Sequence, residues 1–303
     1  MANLPFKENP SYSIGVEEEY QICDPKSGAL LPLMPEFMKH VPEGMESRFS
    51  YELLQTVVES NTTVCETVDC AIKEMADQRR ATNEVLRTMG ARIGMGSTHP
   101  FARWQDQKFV DTESYKWVGD QLRVVAQRNL TFGLHVHVGV GSAEGAIHTC
   151  NSIRRWYGPL LAMSANSPFF EGVDTGFQSF RTQLFGAFPR SGVPPHFRDY
   201  DHFAEIIGNL IEAKSITKPR QVWWGVRPHP TFGTVELRFF DEQHSIERLA
   251  GIVAISQALV ASYMDEHGRG DTKHPLEREY IEDGRWKAMR FGLDCHVIDP
   301  RTR

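Results

Sequence analysis

Hydrophobic and polar residues alternate along several short stretches of the chain, which predicts strands with one buried and one polar face. Residues 13–22, 131–139 and 234–241 show this alternation, and residues 222–227 are expected to form a strand before a turn that contains two prolines. Strands buried on both faces of a parallel sheet have continuous apolar runs instead. The pattern therefore predicts an α+β fold, in which an antiparallel sheet carries helices on one face and a polar working face on the other.

The spacing of apolar residues predicts helices between these strands. A short helix is expected over residues 51–59, and a long one over residues 68–89, where Gly90 provides a stop. Further helices are expected over residues 114–130, 146–164, 203–213 and 245–264. Residues 174–195 are rich in glycine, proline and phenylalanine, which is typical of a long ordered loop, and residues 286–303 show no defined element.

Composition limits the cellular compartment and the classes of partner that we expect. The 303 residues carry a net charge of −6, which argues against a nucleic-acid partner. The five cysteines are odd in number and lack C-x-x-C spacing, so reduced thiols are expected, with Cys65 and Cys70 packed in or beside a helix. The chain start has no apolar core of signal-peptide length, and the apolar stretch at 252–263 is interrupted by polar residues. We therefore expect a cytoplasmic protein with no membrane partner.

Ionisable residues recur at i and i+2 on three of the predicted strands, a spacing that places both side chains on one face. The pairs are Glu17 with Glu19, His135 with His137, and Glu236 with Arg238. Two carboxylates roughly 7 Å apart on one strand face repel each other, judging from the rise per residue. A bound divalent cation is the simplest group that offsets such repulsion.

Two more carboxylates extend this set. Glu52 and Glu59 are seven residues apart, which places them on one face of the predicted helix over residues 51–59. With Glu17, Glu19 and Glu236 they make five carboxylates, and two histidines join them. This oxygen-rich set suits Mg²⁺ or Mn²⁺ better than Zn²⁺, which prefers sulfur and nitrogen ligands.

A single pair of this kind usually marks a solvated face or a surface ion pair. Only the combination of the three pairs with Glu52 and Glu59 indicates a functional site. Arg103, Arg181 and Arg227 lie in turn-rich segments, where a guanidinium suits a carboxylate or a phosphate. The chain has neither a P-loop nor a G-x-G-x-x-G motif after a strand. A bound nucleotide would therefore be held mainly through metal ions and arginines.

Five ordered motifs carry a resemblance to a known family. They are GVEEEY at 15–20, GSTHPF at 96–101, GLHVHVG at 133–139, GTVELR at 233–238 and RFGL at 290–293. With these motifs, the chain resembles the bacterial carboxylate–amine ligases of the glutamate–cysteine ligase type 2 family from about residue 12 onward. The resemblance implies a glutamine-synthetase-like catalytic fold, in which a curved, mainly antiparallel sheet has helices on its outer face and binds Mg²⁺ and ATP on its concave face.

The resemblance also implies roles for individual residues. Its metal-binding positions match Glu17, Glu19, Glu52, Glu59, His135 and Glu236, although related ligases often have Asp at the position of Glu52. Arg238 matches a position that contacts the transferred phosphate and, with Glu236, is expected to be catalytic. Arg181, Arg227 and Arg238 are expected to bind the nucleotide or the substrate.

The expected reaction is ATP-dependent amide formation between a side-chain carboxylate, that of glutamate, and an amine such as cysteine, through an acyl phosphate. We expect residues 1–303 to form a single catalytic domain without the C-terminal helices usual in the family. The exposed edges of an antiparallel sheet favour a homo-oligomer. Two alternatives stay open on sequence grounds: a metal-dependent hydrolase centred on His135 and His137, and a non-catalytic binding protein that retains the fold.

Overall fold

The computed structural model describes residues 4–270 and 276–299. The strands are β1 (Ile14–Cys23), β2 (Phe49–Tyr51), β3 (Val57–Asn61), β4 (Arg92–Gly94), β5 (Gly133–Gly139), β6 (Phe169–Phe170), β7 (Val173–Asp174), β8 (Ser191–Gly192), β9 (Trp223–Trp224), β10 (Val226–His229) and β11 (Thr234–Asp241). The helices are α1 (Met34–Phe37), α2 (Val68–Thr88), α3 (Glu113–Leu122), α4 (Val124–Gln127), α5 (Ala143–Ile153), α6 (Tyr157–Ser164), α7 (Phe180–Phe185), α8 (Tyr200–Glu212), α9 (Ile246–Gly268) and α10 (Arg278–Phe291).

The main sheet has the strand order β10-β11-β5-β1-β3-β2, and β4 pairs with the end of β1. Each of its pairings is antiparallel. Strand β5, the central strand of the predicted polar face, lies between β1 and β11. The predicted α+β class with a mainly antiparallel sheet is confirmed.

One face of the sheet packs against helices and forms the main hydrophobic core. Val16, Val136 and Leu237 lie on this face and are buried together with residues of α2, α5, α6 and α9. Val136 and Leu237 are the residues between the ionisable pairs of β5 and β11, so burying them turns those pairs to the opposite face. The expected division into a core face and a polar face is therefore present.

The predicted helix over residues 51–59 is wrong. The chain instead leaves β2 at Tyr51, passes Glu52 in a loop, and enters β3 at Val57. Apolar residues at 53, 54, 57 and 58 fit helical spacing as well as a buried strand, so short-range periodicity did not separate the two. Antiparallel pairing of β3 with β1 and β2 satisfies its backbone groups and decides the outcome.

Two other predictions need correction. The helix expected over residues 114–130 is interrupted at Arg123, where φ is +50°, so that α3 and α4 are separate. The tail from residue 286 was expected to be undefined, yet α10 continues to Phe291. The segment over residues 174–195 is an ordered connection as expected, and it also contains the short helix α7.

Helix α9 is long and apolar enough, by length and composition alone, to cross a membrane. The sequence had indicated that its apolar stretch was too short and too polar. Leu249, Val253 and Val260 on this helix pack into the main core beside α5 and the sheet. A core helix passes the same test, so the length of α9 is weak evidence for a membrane span.

Candidate active site

Strand register brings the three ionisable pairs together on the polar face of the sheet. Glu17 of β1 lies opposite His135 of β5, and His137 of β5 lies opposite Glu236 of β11. On the other side of β1, Glu19 lies opposite Glu59 of β3. Residues separated by up to about 220 positions thus share one surface because their strands are adjacent.

The first carboxylate-rich cluster consists of Glu17, His135 and Glu236. One ligand atom from each lies within 4.8 Å of the others. The Nδ1 of His135 lies 2.9 Å from Glu17 Oε2. Two carboxylates and one imidazole from three adjacent strands form a donor set that suits a divalent cation.

His137 lies beside this cluster, although the sequence left its role open. Its Nε2 lies 3.3 Å from Glu17 Oε1 and 3.6 Å from Glu236 Oε1, and its Nδ1 lies 3.0 Å from the hydroxyl of Thr234. Burial lowers the pKa of His137, but Glu236 and Glu17 outweigh this effect and raise it above the ordinary value. The two carboxylates therefore favour the protonated form of His137.

The second cluster consists of Glu19, Glu52 and Glu59, whose ligand atoms again lie within 4.8 Å of one another. Burial and the neighbouring Glu19 raise the pKa of Glu52 to about 8. Burial and the charges of Glu17, Glu52 and Glu19 raise the pKa of Glu59 well above its ordinary value. The described protein side chains supply too little positive charge to keep all these carboxylates ionised, which is the condition that a bound cation relieves.

The first cluster has the opposite electrostatic balance. Burial alone would raise the pKa of Glu17, but hydrogen bonds with His135 and His137 hold it well below the ordinary value. For Glu236 the opposing groups are Arg227 and Arg238, which hold its pKa well below the ordinary value against burial. Both carboxylates are therefore ionised at neutral pH and available as ligands.

Arginines surround Glu236. The Nε of Arg227 donates to Glu236 Oε2 at 2.6 Å, and Nη1 of Arg238 contacts Glu236 Oε1. Arg227 is nearly fully buried and also donates to the carbonyl oxygen of Arg220 at 2.8 Å. Arg238 remains partly accessible at the cleft, so it is the arginine beside Glu236 that a substrate can reach.

Arg181 reaches the same region from α7. Its Nη2 donates to the carbonyl oxygen of Arg238 at 3.3 Å, and its Nε is buried without a hydrogen-bond partner. A Cβ at Gly133 would lie 2.3 Å from this Nη2, so the glycine at the start of β5 makes room for the guanidinium. Arg181 and Arg238 thus form one cationic edge of the site.

A cleft opens over the second cluster and this cationic edge. Its charged wall contains Glu19, Glu52, His135, Arg181 and Arg238. Its apolar wall contains Leu54, Tyr115, Phe185, Phe188 and Trp223, among others. An apolar pocket with a few convergent charged groups is the usual form of a small-molecule site.

Glu18, between Glu17 and Glu19, lies on the opposite face of the sheet. It is fully buried, accepts a hydrogen bond from Tyr20 at 2.7 Å, and pairs with Arg79 of α2. Arg79 also lies 3.5 Å from the buried Glu242. This buried ion network holds β1 from behind, and it is not part of the working face.

The structure places the proposed metal ligands close to Arg181, Arg227 and Arg238. It does not bring Arg103 into the described cleft. Sequence reasoning missed the apolar wall, because Tyr115 and Trp223 carry no local signal that relates them to the ionisable pairs. It also missed Arg79, although strand alternation alone indicated that Glu18 would need a partner in the core.

The sequence matches the model of the family described as glutamate-cysteine ligase family 2 over residues 13–303. A relative from Rubrobacter xylanophilus is 40% identical over 97% of this chain and 78% of its own length. One from Solibacter usitatus is 38% identical over 98% of this chain and 77% of its own length. They are named "Putative glutamate--cysteine ligase 2-1" and "Putative glutamate--cysteine ligase 2".

Two solved structures share the fold. A glutamate–cysteine ligase from Francisella tularensis in complex with AMP has a TM-score of 0.70 at 13% identity, covering 98% of this chain and 76% of that one. A bifunctional glutathione synthetase from Pasteurella multocida has a TM-score of 0.68 at 13% identity, covering 92% of this chain and 42% of that one. At this identity the likeness concerns the fold alone.

Proposed function

Because the chain belongs to glutamate–cysteine ligase family 2 and is a ligase of that kind, we propose that it uses ATP to join the side-chain carboxylate of glutamate to an amine. Cysteine is the first amine to test, because two relatives are named as putative glutamate–cysteine ligases. The observation that carries the proposal is the convergence of two carboxylate clusters and three arginines on one face of the sheet. A single catalytic domain over residues 1–303 remains part of the proposal, and the last four residues lie outside the described chain.

The donor set fits Mg²⁺, which prefers oxygen ligands. Glu17, His135 and Glu236 would hold one ion, and Glu19, Glu52 and Glu59 would hold another. When bound, such ions neutralise phosphate charge and align the phosphates for transfer. The raised pKa values of Glu52 and Glu59 fit this assignment, because they indicate missing positive charge.

The chain's own residues account for the remaining requirements. Arg238 lies at the cleft beside Glu236, where its guanidinium can stabilise the charge that develops on the transferred phosphoryl group. Arg181 adds positive charge to the same edge. The apolar wall excludes water, which protects an acyl phosphate from hydrolysis.

The proposed reaction has two steps. The glutamate carboxylate attacks the γ-phosphorus of ATP, the bond to ADP breaks, and an acyl phosphate forms. The amine then attacks the acyl carbon, phosphate leaves, the nitrogen loses a proton, and an amide results. Positioning and electrostatics supply most of the rate, so the chain needs no nucleophile of its own.

The test is ADP release with ATP, Mg²⁺ and glutamate against a panel of amines, with the amide identified by mass spectrometry. We expect ADP release to require both the acid and an amine, and to fall by roughly 10²-fold or more in Glu236→Gln. Glu84→Gln, an exposed change on α2, is the matched control and should leave the rate unchanged. Because Glu236→Gln leaves Arg227 and Arg238 without their partner, circular dichroism must show that the variant is folded, and Glu17→Gln provides a second variant.

The metal-dependent hydrolase and the non-catalytic binding protein have less support than the ligase. A hydrolase built on His135 and His137 is not favoured, because these histidines lie among carboxylates in a chain of a ligase family. A non-catalytic protein would not need two carboxylate clusters and three arginines on one surface. Zinc at unit stoichiometry without ATP turnover would support the hydrolase, and ATP binding without turnover on any acid and amine would support the binding protein.

A further inference from the structure

Two cysteines lie in contact outside the candidate active site. The Sγ atoms of Cys65 and Cys70 are 2.9 Å apart. A disulfide bond is about 2.05 Å long, so a movement of roughly 0.9 Å would join them. The other cysteines, Cys23, Cys150 and Cys295, have no sulfur-to-sulfur contact among the described residues.

The backbone around the pair is well anchored on the Cys65 side. Cys65 exchanges two backbone hydrogen bonds with Ile14 at the start of β1, at 2.7 and 2.8 Å. Cys70 lies in the first turn of α2, where its N–H donates to the capping hydroxyl of Thr67 at 3.2 Å. Residues 65–70 therefore connect the chain that pairs with the start of β1 to α2, the long helix behind the sheet.

The two thiols differ in reactivity. Cys70 is exposed in the first turn of α2, so its sulfur is open to solution. Cys65 is fully buried, and burial raises the pKa of its thiol to about 12. One thiol can thus meet an oxidant from solution, and the other can act only on its neighbour.

A metal centre at this position is less favoured. Glu74 also lies close enough to provide a ligand. Its carboxylate, however, already accepts hydrogen bonds from the backbone N–H of Thr63 at 2.7 Å and from the Thr63 hydroxyl at 2.5 Å. Even with Glu74, two thiols and one carboxylate fall short of the four protein ligands of a structural zinc site.

From this geometry we propose that Cys65 and Cys70 form a reversible intramolecular disulfide, with Cys70 as the attacking thiol and Cys65 as the resolving thiol. A low-molecular-weight disulfide such as oxidised glutathione is the oxidant. The Cys70 thiolate attacks one sulfur of the oxidant and releases one thiolate. The Cys65 thiol then loses its proton and attacks Cys70 Sγ, which releases the second. The two protein thiols are oxidised, and one oxidant disulfide is reduced to two thiols.

Formation of the Cys65–Cys70 disulfide would crosslink the start of α2 to the segment that pairs with the carboxylate-bearing strands. Residues 62–65 follow β3, which bears Glu59, and pair with β1, which bears Glu17 and Glu19. The crosslink restricts the unfolded chain between these elements, so oxidation should raise the melting temperature. This inference does not depend on the proposed ligase activity.

The test equilibrates the full-length protein with mixtures of reduced and oxidised glutathione, quenches it with acid, and maps the disulfide by mass spectrometry. Cleavage after glutamate cuts at Glu66, between the two cysteines, and separates residues 60–66 from residues 67–74. We expect these two peptides to be joined in the oxidised protein and separate after reduction. Oxidation should consume two of the five thiols and leave the protein monomer mass unchanged apart from two hydrogens.

Variants identify the roles of the two sulfurs. In Cys65→Ala, Cys70 lacks its resolving partner and should accumulate a mixed disulfide with glutathione, which the wild type should not. Cys70→Ser should form neither species, and Cys295→Ser should behave as the wild type. Five titratable thiols after exposure to oxidised glutathione, a stable mixed disulfide in the wild type, a disulfide-linked dimer, or zinc bound at unit stoichiometry and lost in Cys65→Ala would each overturn the proposal.

Discussion

Glu19 of β1 lies directly opposite Glu59 of β3, so two carboxylates occupy one cross-strand pair on the polar face of the sheet. Like charges at such a position destabilise a sheet. Glu52 joins them from the loop after β2 and completes a cluster of three acids. Three acids at this point weaken the fold unless a proton or a cation is bound.

This relationship predicts a pH-dependent response to divalent cations. A carboxyl group whose pKa is raised by folding stabilises the fold below its unfolded pKa of about 4.3, and this contribution is lost as the pH rises through the folded pKa, about 8 for Glu52. Mg²⁺ should therefore raise the melting temperature more at about pH 9 than at about pH 6. Thermal unfolding with Mg²⁺ or with EDTA measures the difference, and an equal Mg²⁺ effect at both pH values would contradict the assignment.

Removing one acid should have the opposite effect on the metal-free protein. Because the pKa of Glu59 is raised, its charge develops only at alkaline pH. In Glu59→Gln this repelling charge is absent, so at about pH 9 the melting temperature in EDTA should rise, by roughly 2–4 °C for each kcal/mol of repulsion relieved. The same variant should lose the additional stabilisation by Mg²⁺ that the wild type shows at about pH 9. Glu84→Gln, exposed on α2, should change neither quantity.

Arg238→Lys tests the proposed contact with the transferred phosphoryl group. Lysine keeps the charge but loses the planar fork that contacts an anion through two nitrogens. We expect kcat to fall by roughly 10²-fold or more, with a smaller change in KM for ATP. A variant whose kcat stays within about twofold of the wild type would remove Arg238 from the proposed mechanism.

Gly133→Ala should displace the Arg181 side chain, because the added Cβ would lie 2.3 Å from its Nη2. We expect at least a roughly tenfold loss of ATP turnover, and no further loss when the change is made in Arg181→Ala. A double-mutant cycle on the turnover rate measures this coupling. Gly251→Ala is the control, since nothing lies within 4 Å of its added Cβ.

Arg79→Met should destabilise the whole fold. It leaves Glu18 and Glu242 buried without their cation, a change that typically costs about 3–5 kcal/mol. Urea unfolding monitored by circular dichroism provides the measurement. Arg80→Met is the matched control, because Arg80 is exposed on the same helix and should change stability by less than about 0.5 kcal/mol.

Local patterns in the sequence determined which face the residues of β1, β5 and β11 occupy. Strand alternation placed Glu17 and Glu19, and likewise His135, on the polar side of β1 and β5, and it predicted the antiparallel sheet with its helical layer. The motifs then indicated the family and the candidate ligands. This information depends only on the backbone geometry of a few consecutive residues, so the sequence alone carries it.

Only the tertiary structure decided which strands are neighbours and which distant groups meet them. It placed the end of the helix predicted over residues 51–59 in β3 instead, because pairing with β1 outweighs an ambiguous apolar pattern. It also joined Arg79 to Glu18, Arg181 to Gly133, and Cys65 to Cys70. The first two of these contacts, like the pairing of β3, depend on long-range packing, which no local window of the sequence encodes.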